Sequence, residues 1–402
     1  MLTRIITPYK GLSKEVWFLA LTTLINRAGA MVIPFLSLYL NKYLDYSLGQ
    51  IGWIMTFYGF GSVVGVYFGG KLTDKVGYYK VMYASLILTG IAFLGLQFVT
   101  SFVALCIGIF SLTMVADAFR PAIWVALSDY SSEENRTRSV TLIRLAINLG
   151  FSMGPAIGGF IIANISYQGL FWVDGITSFI AAVIIIKFLF QKAPSQSKEE
   201  NELKINQSPY KDRQYLIFWF AMFLIGFTFM QYFSTVPLFY SQNMDMNEQQ
   251  IGLLLATNGF VIFLFEMPVV HSLEKSKING LRIVIVGVFL IALSFFILNI
   301  SDWIGVAIIG MLVMTFGEML GFPFSNSYAL DRAKRGNAGE YMALYSMSFS
   351  FAHILGPNIG MHVSDKYGFM VTFYMMGILL LISCLLLVWL KRRVKLDRIV
   401  SD

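Results

Sequence analysis

Long uninterrupted apolar segments recur along the whole chain, and they limit its fold more than any other feature. Each runs for about 20 residues, the length that an α-helix needs to cross the hydrocarbon core of a bilayer. A transmembrane barrel would instead show strands of about ten residues that alternate between apolar and polar positions. Only 13% of the residues are charged, about half the fraction in soluble domains. The sequence therefore predicts an all-α membrane protein.

Turn and charge signals divide the apolar segments into twelve predicted spans, and the longest polar stretch separates them six and six. We expect an N-terminal six-helix bundle over 1–190, a cytoplasmic linker over 191–213 and a C-terminal six-helix bundle over 214–402. The predicted spans cover residues 16–40, 50–70, 79–99, 102–127, 139–164, 168–190, 214–239, 249–271, 281–300, 303–329, 341–362 and 370–390.

The basic residues indicate the orientation of the chain in the membrane. The chain carries 30 Lys and Arg residues and a net charge of +7. Most of them fall in segments that are cytoplasmic if both termini are cytoplasmic, as Lys71, Lys75 and Arg138 do. Loops rich in Lys and Arg stay on the cytoplasmic side. We therefore predict a multi-pass protein of the bacterial cytoplasmic (inner) membrane with both termini inside, and no nucleic-acid partner.

The two halves of the chain match each other at an offset of about 200 residues, and such internal repeats are typical of transporters. The matches keep the same order along both halves. Two parallel repeats related by an axis along the membrane normal place a substrate site between them near mid-membrane. The matched segments are Gln50-Ile51-Gly52 with Gln250-Ile251-Gly252, Gly59-Phe60 with Gly259-Phe260, Pro121 with Pro323, Asp129 with Asp331, and Gly154-Pro155 with Gly356-Pro357.

The loop after the second predicted span reads GKLTDKVGYYK from residue 70. Gly70 and Gly77 permit close backbone approach and a tight turn. Asp74, at a helix end, can accept hydrogen bonds from a neighbouring helix N-terminus or a basic residue. Together with Leu72, these residues resemble the major facilitator signature G-x-L-a-D-r-x-G-r-k. The resemblance implies that the loop latches the cytoplasmic side of a transporter shut.

The fifth predicted span carries a second glycine pattern. Small residues permit close helix packing, and a proline removes a backbone donor and bends the helix. The pattern resembles the G-x-x-x-G-P-x-x-G-G signature of the drug:proton antiporter branch, and we expect a tight seam that seals the outer half against leak. The resemblance implies the major facilitator fold, with twelve helices in two pseudo-symmetric six-helix bundles. Its residues are Gly150, Gly154, Pro155, Gly158 and Gly159.

Ionisable residues inside predicted spans are functional candidates by default. Asp117 and Arg120 are three residues apart on the fourth span and so share a helix face. Glu318 lies at a similar depth on the tenth span. Glu266, on the eighth, suits either a gate or a proton site. We predict Asp117, Glu318 and Glu266 as proton-coupling residues.

The same reasoning predicts a polar substrate cavity. Three arginines inside the spans suit a carboxylate-bearing substrate, and polar or aromatic residues of the seventh and tenth spans are expected to face the same space. The predicted cavity residues are Arg27, Arg120, Arg144, Gln231, Tyr232 and Phe322.

The leading hypothesis is a proton-coupled antiporter that exports drugs or other amphipathic small molecules. The alternatives are a symporter that imports a polar solute such as a peptide or sugar, and a dedicated exporter of an anionic metabolite or siderophore. An enzyme would need a nucleophile, a metal site or an added domain, and the sequence shows none. We expect no cofactor and no metal, with the proton gradient as energy source. The expected partners are a small-molecule substrate, protons and the lipid bilayer, and the expected state is a monomer.

Overall fold

A computed structural model describes residues 12–132, 135–190, 208–275, 278–333, 335 and 338–401. The predicted linker lies mostly outside these ranges. Every regular element in the described part is helical. The helices are α1 (Lys14–Ala28), α2 (Val32–Leu38), α3 (Leu48–Val76), α4 (Tyr78–Leu96), α5 (Phe102–Asp117), α6 (Phe119–Tyr130), α7 (Arg136–Asn164), α8 (Tyr167–Phe188), α9 (Arg213–Phe229), α10 (Thr235–Gln242), α11 (Glu248–Lys275), α12 (Gly280–Leu298), α13 (Ile304–Ala333) and α14 (Ala338–Ser401).

Eleven segments of the described chain are long and apolar enough to cross a membrane. The last of them, Glu340–Arg393, has 54 residues, more than twice the roughly 20 that one crossing needs. It is interrupted at Gly368, whose φ of 83° and ψ of 165° are not helical. The predicted spans 341–362 and 370–390 lie on either side of this glycine.

Three further membrane segments are interrupted near their middle. The first is broken between α1 and α2, the fourth at Ala118 between α5 and α6, and the seventh between α9 and α10. The predicted spans 16–40, 102–127 and 214–239 fall within these three membrane segments. Interrupted backbone at membrane depth is tolerated only where protein groups or a cavity satisfy it, so the breaks are the places to look for a polar site.

The chain divides into two compact units. Unit 1 comprises Met1–Leu44, Phe57–Glu199 and Asn247–Phe260, and unit 2 comprises Asp45–Thr56, Glu200–Met246 and Val261–Asp402. Each unit therefore contains most of one half of the chain and a short helical segment from the other half.

Each unit has its own helix packing. In unit 1, α4 packs against α5 and α8, and α1 packs against α7 and α8. Their shared core includes Leu19, Met82 and Ile143, which are all fully buried. In unit 2, α12 packs against α13 and α14, and α9 packs against α14.

The internal repeat has a local structural counterpart at the starts of α3 and α11. Asp45 and Asp245 both adopt positive φ, 56° and 50°. Two residues later, each chain segment forms a reciprocal cap. The Ser47 amide donates to Gln50 Oε1 at 3.1 Å, and the Asn247 amide donates to Gln250 Oε1 at 3.0 Å. This capping box satisfies two amides at a helix start, so both halves begin their second span in the same way.

Candidate functional site

A cavity of about 80 Å³ lies inside unit 1, with room for several water molecules. Its wall is formed by α1, the break that follows α1, α2, α3, α4, α5, α6 and α8. Both breaks of unit 1 therefore border the same space. The polar residues of the wall are Asn26, Arg27, Tyr58, Thr89, Thr113, Asp117, Arg120 and Ser178.

The break between α5 and α6 follows from a proline. Pro121 has no amide hydrogen, so the carbonyl of Asp117, four residues earlier, receives no helical hydrogen bond. The α3 helix crosses at this point. A Cβ atom added to Gly69 would lie 2.5 Å from the Ala118 Cα, so only glycine permits the approach. The local sequence thus places Asp117 and Arg120 on the two sides of a break that borders the cavity.

Asp117 is 8% exposed, and both of its carboxylate oxygens accept hydrogen bonds. Arg120 Nε lies 2.9 Å from Oδ1 in an ion pair, and the Ser62 hydroxyl donates to Oδ2. The predicted common face of Asp117 and Arg120 is therefore confirmed, although the helix is broken between them. The buried carboxylate therefore contacts a cation and a hydroxyl.

Arg27 is the second cation of the cavity, at the end of α1. Its Nε is buried and has no hydrogen-bond partner among the described residues. Its guanidinium lies 5.4 Å from the centre of the Phe151 ring. One carboxylate thus faces two guanidinium groups, and the cavity has an excess of positive charge. A buried donor without an acceptor is costly, so the Nε of Arg27 is a candidate group for binding a hydrogen-bond acceptor.

The glycine pattern of the fifth span lies on α7 and packs against the first span. A Cβ atom at Gly154 would lie 3.3 Å from the Ala28 carbonyl oxygen, and one at Gly158 would lie 3.0 Å from the Phe35 ring. Gly150 and Pro155 belong to the same helix, and a Cβ atom at Gly150 would lie 2.5 Å from the Arg27 Cβ. These glycines therefore set the distance between α7 and the wall of the cavity.

Another face of α7 packs against the part of α11 that belongs to unit 1. The Ser152 hydroxyl donates to the Ala256 carbonyl at 3.0 Å. A Cβ atom at Gly159 would lie 3.1 Å from the Gln249 Cα. The close packing expected of this pattern is present on both sides of α7, and its role as a seal stays a prediction.

The loop motif of the second span lies at the junction of α3 and α4. Gly77 adopts a φ of 88°, which L side chains rarely adopt, so the expected tight turn is confirmed. A Cβ atom at Gly70 would meet nothing within 4 Å. The expected close approach there was wrong, since Gly69 makes it instead. Leu72 and Asp74 are exposed, and their role in gating stays a prediction.

Most of the other predicted site residues belong to unit 2. The Gln231 side chain donates to the Gly356 carbonyl at 2.8 Å, and the Tyr232 hydroxyl donates to Ser294 Oγ at 2.6 Å. Both residues are fully buried. Phe322 packs its ring against Phe229. Gln231 and Tyr232 therefore lie in the packed interior of unit 2, and Phe322 is half-buried. The role of all three as cavity residues stays a prediction.

Three charged candidates lie apart from the described cavity wall. Glu266 on α11 and Glu318 on α13 are partly buried in unit 2, and Arg144 is exposed on α7 of unit 1. The structure therefore brings together Asp117, Arg120 and Arg27, and their neighbours in the wall are the residues on which a function can be argued.

Sequence reasoning missed two polar partners. Ser62 gave no signal, since a serine in an apolar helix is ordinary. Asp174 gave a signal that was overlooked, because it is an acid within the apolar segment 167–188. Its fully buried carboxylate accepts hydrogen bonds from the Met31 and Val32 amides at the break between α1 and α2. An inspection of every acid inside a predicted span would have found it.

A family model described as the Major Facilitator Superfamily matches residues 16–357. The chain belongs to the major facilitator superfamily. It is a multi-pass inner-membrane transporter of small molecules and not an enzyme. An MFS-type transporter of Bacillus subtilis, YqjV, is 26% identical over 368 residues, which cover 90% of this chain and 88% of that protein.

Two further members of the superfamily have more specific names. A Na(+), Li(+), K(+)/H(+) antiporter of Planococcus maritimus is 22% identical, with 91% of this chain and 92% of that protein covered. The class H tetracycline resistance protein of Pasteurella multocida is 24% identical, with 86% and 88% covered. Among solved structures, a POT family transporter in complex with 5-aminolevulinic acid has a TM-score of 0.82 at 14% identity, over 96% of this chain and 97% of that chain. At this low sequence identity, the similarity to the solved POT family structure shows only the fold of this chain.

Proposed function

We propose that this member of the major facilitator superfamily is a proton-coupled antiporter that exports amphipathic small molecules, with Asp117 as the proton-binding group. The observation that carries the proposal is the ion pair between Asp117 and Arg120 at 2.9 Å in the wall of a cavity that also contains Arg27. The antiporter of Planococcus maritimus and the tetracycline resistance protein support export by antiport. We expect no resident cofactor, since the proton gradient supplies the energy.

The topology that accompanies this proposal has twelve crossings in two six-helix bundles, with both termini cytoplasmic. The 54-residue segment that is interrupted at Gly368 supplies the eleventh and twelfth crossings. An even number of crossings returns the chain to the side on which it began, as the distribution of basic residues requires.

The charge balance of the cavity explains how a proton and a substrate exchange. A proton on Asp117 removes the negative partner of Arg120 and leaves two guanidinium groups facing the cavity. The cavity then carries two net positive charges, against one when Asp117 is ionised, so protonation weakens the binding of a cationic substrate. Proton and cation therefore bind in competition, and coupling between the two sites is reciprocal. Competition of this kind is the requirement for antiport.

The test is transport by the purified protein in vesicles with an imposed pH gradient and a panel of cationic dyes. We expect the wild-type protein to accumulate a dye uphill and to move protons in the opposite direction. Asp117→Asn should abolish uphill transport and keep downhill exchange, because the neutral side chain cannot exchange a proton. Asp302→Asn, at an exposed loop carboxylate, is the matched control and should transport as the wild type does. Uphill transport by Asp117→Asn at the wild-type rate would rule out this role.

A second candidate function is proton symport of an anionic solute, and the unpaired Nε of Arg27 favours it. For an anion the linkage has the opposite sign, since a proton on Asp117 frees Arg120 to bind the anion. Acid pH should then strengthen the binding of an anionic probe, whereas antiport of a cation requires that acid pH weaken the binding of a cationic dye. Binding of both kinds of probe to purified protein as a function of pH decides between the two.

A further inference from the structure

The interruption between α1 and α2 leaves the first amides of α2 without helical partners, as at any helix start. A side chain from α8 accepts two of them. The Met31 amide lies 3.0 Å from both carboxylate oxygens of Asp174, and the Val32 amide donates to Oδ2 at 2.9 Å. Asp174 is fully buried. Its carboxylate therefore ties α8 to the interruption of the first span.

Asp174 differs from Asp117 because no cation is paired with it. In the part of the chain that the structure describes, the hydrogen-bond partners of its carboxylate are the Met31 and Val32 amides. Of the elements packed against α8, α1 presents Arg27 in the neighbouring cavity wall. The π-helix Tyr39–Tyr43, which follows α2 directly, presents Tyr39, whose ring packs on Phe171. No described charged side chain of α4 or α7 interacts with Asp174.

Two opposing effects act on this carboxyl group. An ionised carboxylate inside a membrane segment is strongly disfavoured without a cation, whereas hydrogen bonds from amides favour the ionised form. The position of the Met31 and Val32 amides therefore decides whether Asp174 holds a proton. We propose that Asp174 is a second proton-binding carboxylate of this transporter, and that its protonation releases these amides and loosens the interruption of the first span. The protonated oxygen becomes a donor and no longer accepts from an amide in the same way.

The interruption is part of the cavity wall, so its movement has consequences for the site. Gly29 and Ala30, which precede Met31, line the cavity together with Arg27. Ser178, one turn after Asp174 on α8, lines it too. Loosening of the interruption therefore changes the position of Arg27 relative to Asp117. The inference concerns a different carboxylate from the one assigned to proton exchange above and does not depend on that assignment.

Unit 2 supplies an internal control. The seventh span is interrupted in the corresponding place, but the nearby polar side chain is the amide of Gln231, which accepts from Thr235 Oγ1 at 2.6 Å. In the repeat, Phe171 and Gly175 match Phe373 and Gly377, so the counterpart of Asp174 is Met376. Neither group titrates. A proton-dependent change should therefore occur at the first interruption and not at the second.

The test is backbone hydrogen exchange of the full-length protein in lipid nanodiscs, corrected for the intrinsic effect of pH. Between about pH 9 and about pH 5, where buried carboxyls titrate, the protection of Met31 and Val32 should fall at least about tenfold as the charge-assisted hydrogen bonds are lost. Protection of the amides of residues 234–236 and of Leu238 should stay constant. Asp174→Asn should show low protection at every pH, and Asp117→Asn should keep the wild-type pH dependence.

Constant protection of Met31 and Val32 across this pH range in the wild-type protein would overturn the proposal without any variant. An equal change at both interruptions would overturn it as well, since Gln231 holds no proton. Infrared difference spectra between the two pH values give a direct readout. The band of a protonated buried carboxyl should appear at acid pH in the wild type and be reduced in Asp174→Asn, and an unchanged band in that variant would mean that Asp174 does not take up the proton.

Discussion

The two units share a repeat but place their buried charges at different positions along the helices. In unit 1, Arg27, Asp117 and Asp174 lie next to helix breaks inside the membrane segments. In unit 2, the fully buried ion pair of the described chain joins Asp212 and Arg332, which stand at the start of α9 and near the end of α13. The scaffold of the repeat therefore does not dictate where charge is buried. We expect charges beside a cavity to serve function and charges at a helix start to serve stability.

The same contrast holds for a proline that both units share. Pro121 follows a break at Ala118, whereas Pro323 lies inside the continuous helix α13. A proline removes the same hydrogen bond in both places. In unit 1 the break is accompanied by the close crossing of α3 at Gly69 and by the partners of Asp117. A proline thus permits a break, and the surrounding helices determine whether it forms.

The charges of unit 2 form a compact cluster at the start of α9. Asp212 Oδ1 accepts from the Tyr215 amide at 3.1 Å and from Arg332 Nη2 at 2.8 Å, and Oδ2 accepts from Arg332 Nε at 2.7 Å. In unit 1 the corresponding cap is Ser13, whose hydroxyl accepts from the Val16 amide at 3.3 Å and donates to the Tyr130 carbonyl at 3.0 Å. One position of the repeat therefore holds a buried ion pair in one unit and a neutral cap in the other.

The largest expected effect on stability is at Asp212. Asp212→Asn leaves the buried guanidinium of Arg332 without its carboxylate, which should cost about 3–5 kcal/mol. Thermal unfolding in detergent should show a much lower Tm, while the protein that remains folded should transport normally. Asp117→Asn should show the reverse, with a small change in Tm and no uphill transport. Equal losses of Tm in the two variants would break the contrast between the units.

The double variant Asp212→Ser/Arg332→Tyr sharpens this test, because it introduces the residues that unit 1 has at the matching positions, Ser13 and Tyr130. It leaves no buried charge unpaired, so it should be more stable than Asp212→Asn alone. A Tm at or below that of the single variant would show that the ion pair itself is required at this position.

Acid should destabilise the same cluster. Burial raises the pKa of Asp212, but the hydrogen bonds to its carboxylate and the charge of Arg332 lower it by more. The pKa therefore lies below its ordinary value. A carboxyl of this kind contributes stability above its unfolded pKa of about 3.9, and the contribution is lost as the pH falls through the lower, folded value. Tm should therefore be insensitive to Asp212 between neutral pH and about pH 5 and should fall below about pH 4. In the Asp212→Asn variant, Tm should fall less steeply below about pH 4 than in the wild type. An equally steep fall would mean that ionised Asp212 does not stabilise the fold.

The smallest expected effect is at the neutral cap. Ser13→Ala removes one acceptor from the start of α1 and one donor to Tyr130, at a cost of about 1 kcal/mol. Ser13→Thr keeps the hydroxyl and is the control. Tm should be close to the wild-type value in Ser13→Thr, slightly lower in Ser13→Ala and much lower in Asp212→Asn. A decrease of Tm in Ser13→Ala as large as that in Asp212→Asn would mean that the two caps contribute equally to stability.

Local patterns were enough to predict much of the fold and part of the site. Apolar length located the membrane segments, and the turn at Gly77 follows from the need for a residue that tolerates positive φ. The spacing of Asp117 and Arg120 predicted that the two residues share a helix face, because residues three apart on a helix are neighbours. Arg27 was identified as a site residue because a charge inside an apolar segment is rarely without a function.

Contacts between distant segments were decided by the tertiary structure. The pairing of Asp174 with the amides of Met31 and Val32 joins residues more than 140 positions apart, and that of Ser62 with Asp117 joins residues 55 apart. The sequence by itself determined which residues carry charge, which segments cross the membrane and where a proline permits a break. It could not determine which acid has a cation and which has only amides. That choice depends on how the helices pack, because a buried charge is stabilised by the groups that packing brings within hydrogen-bond distance.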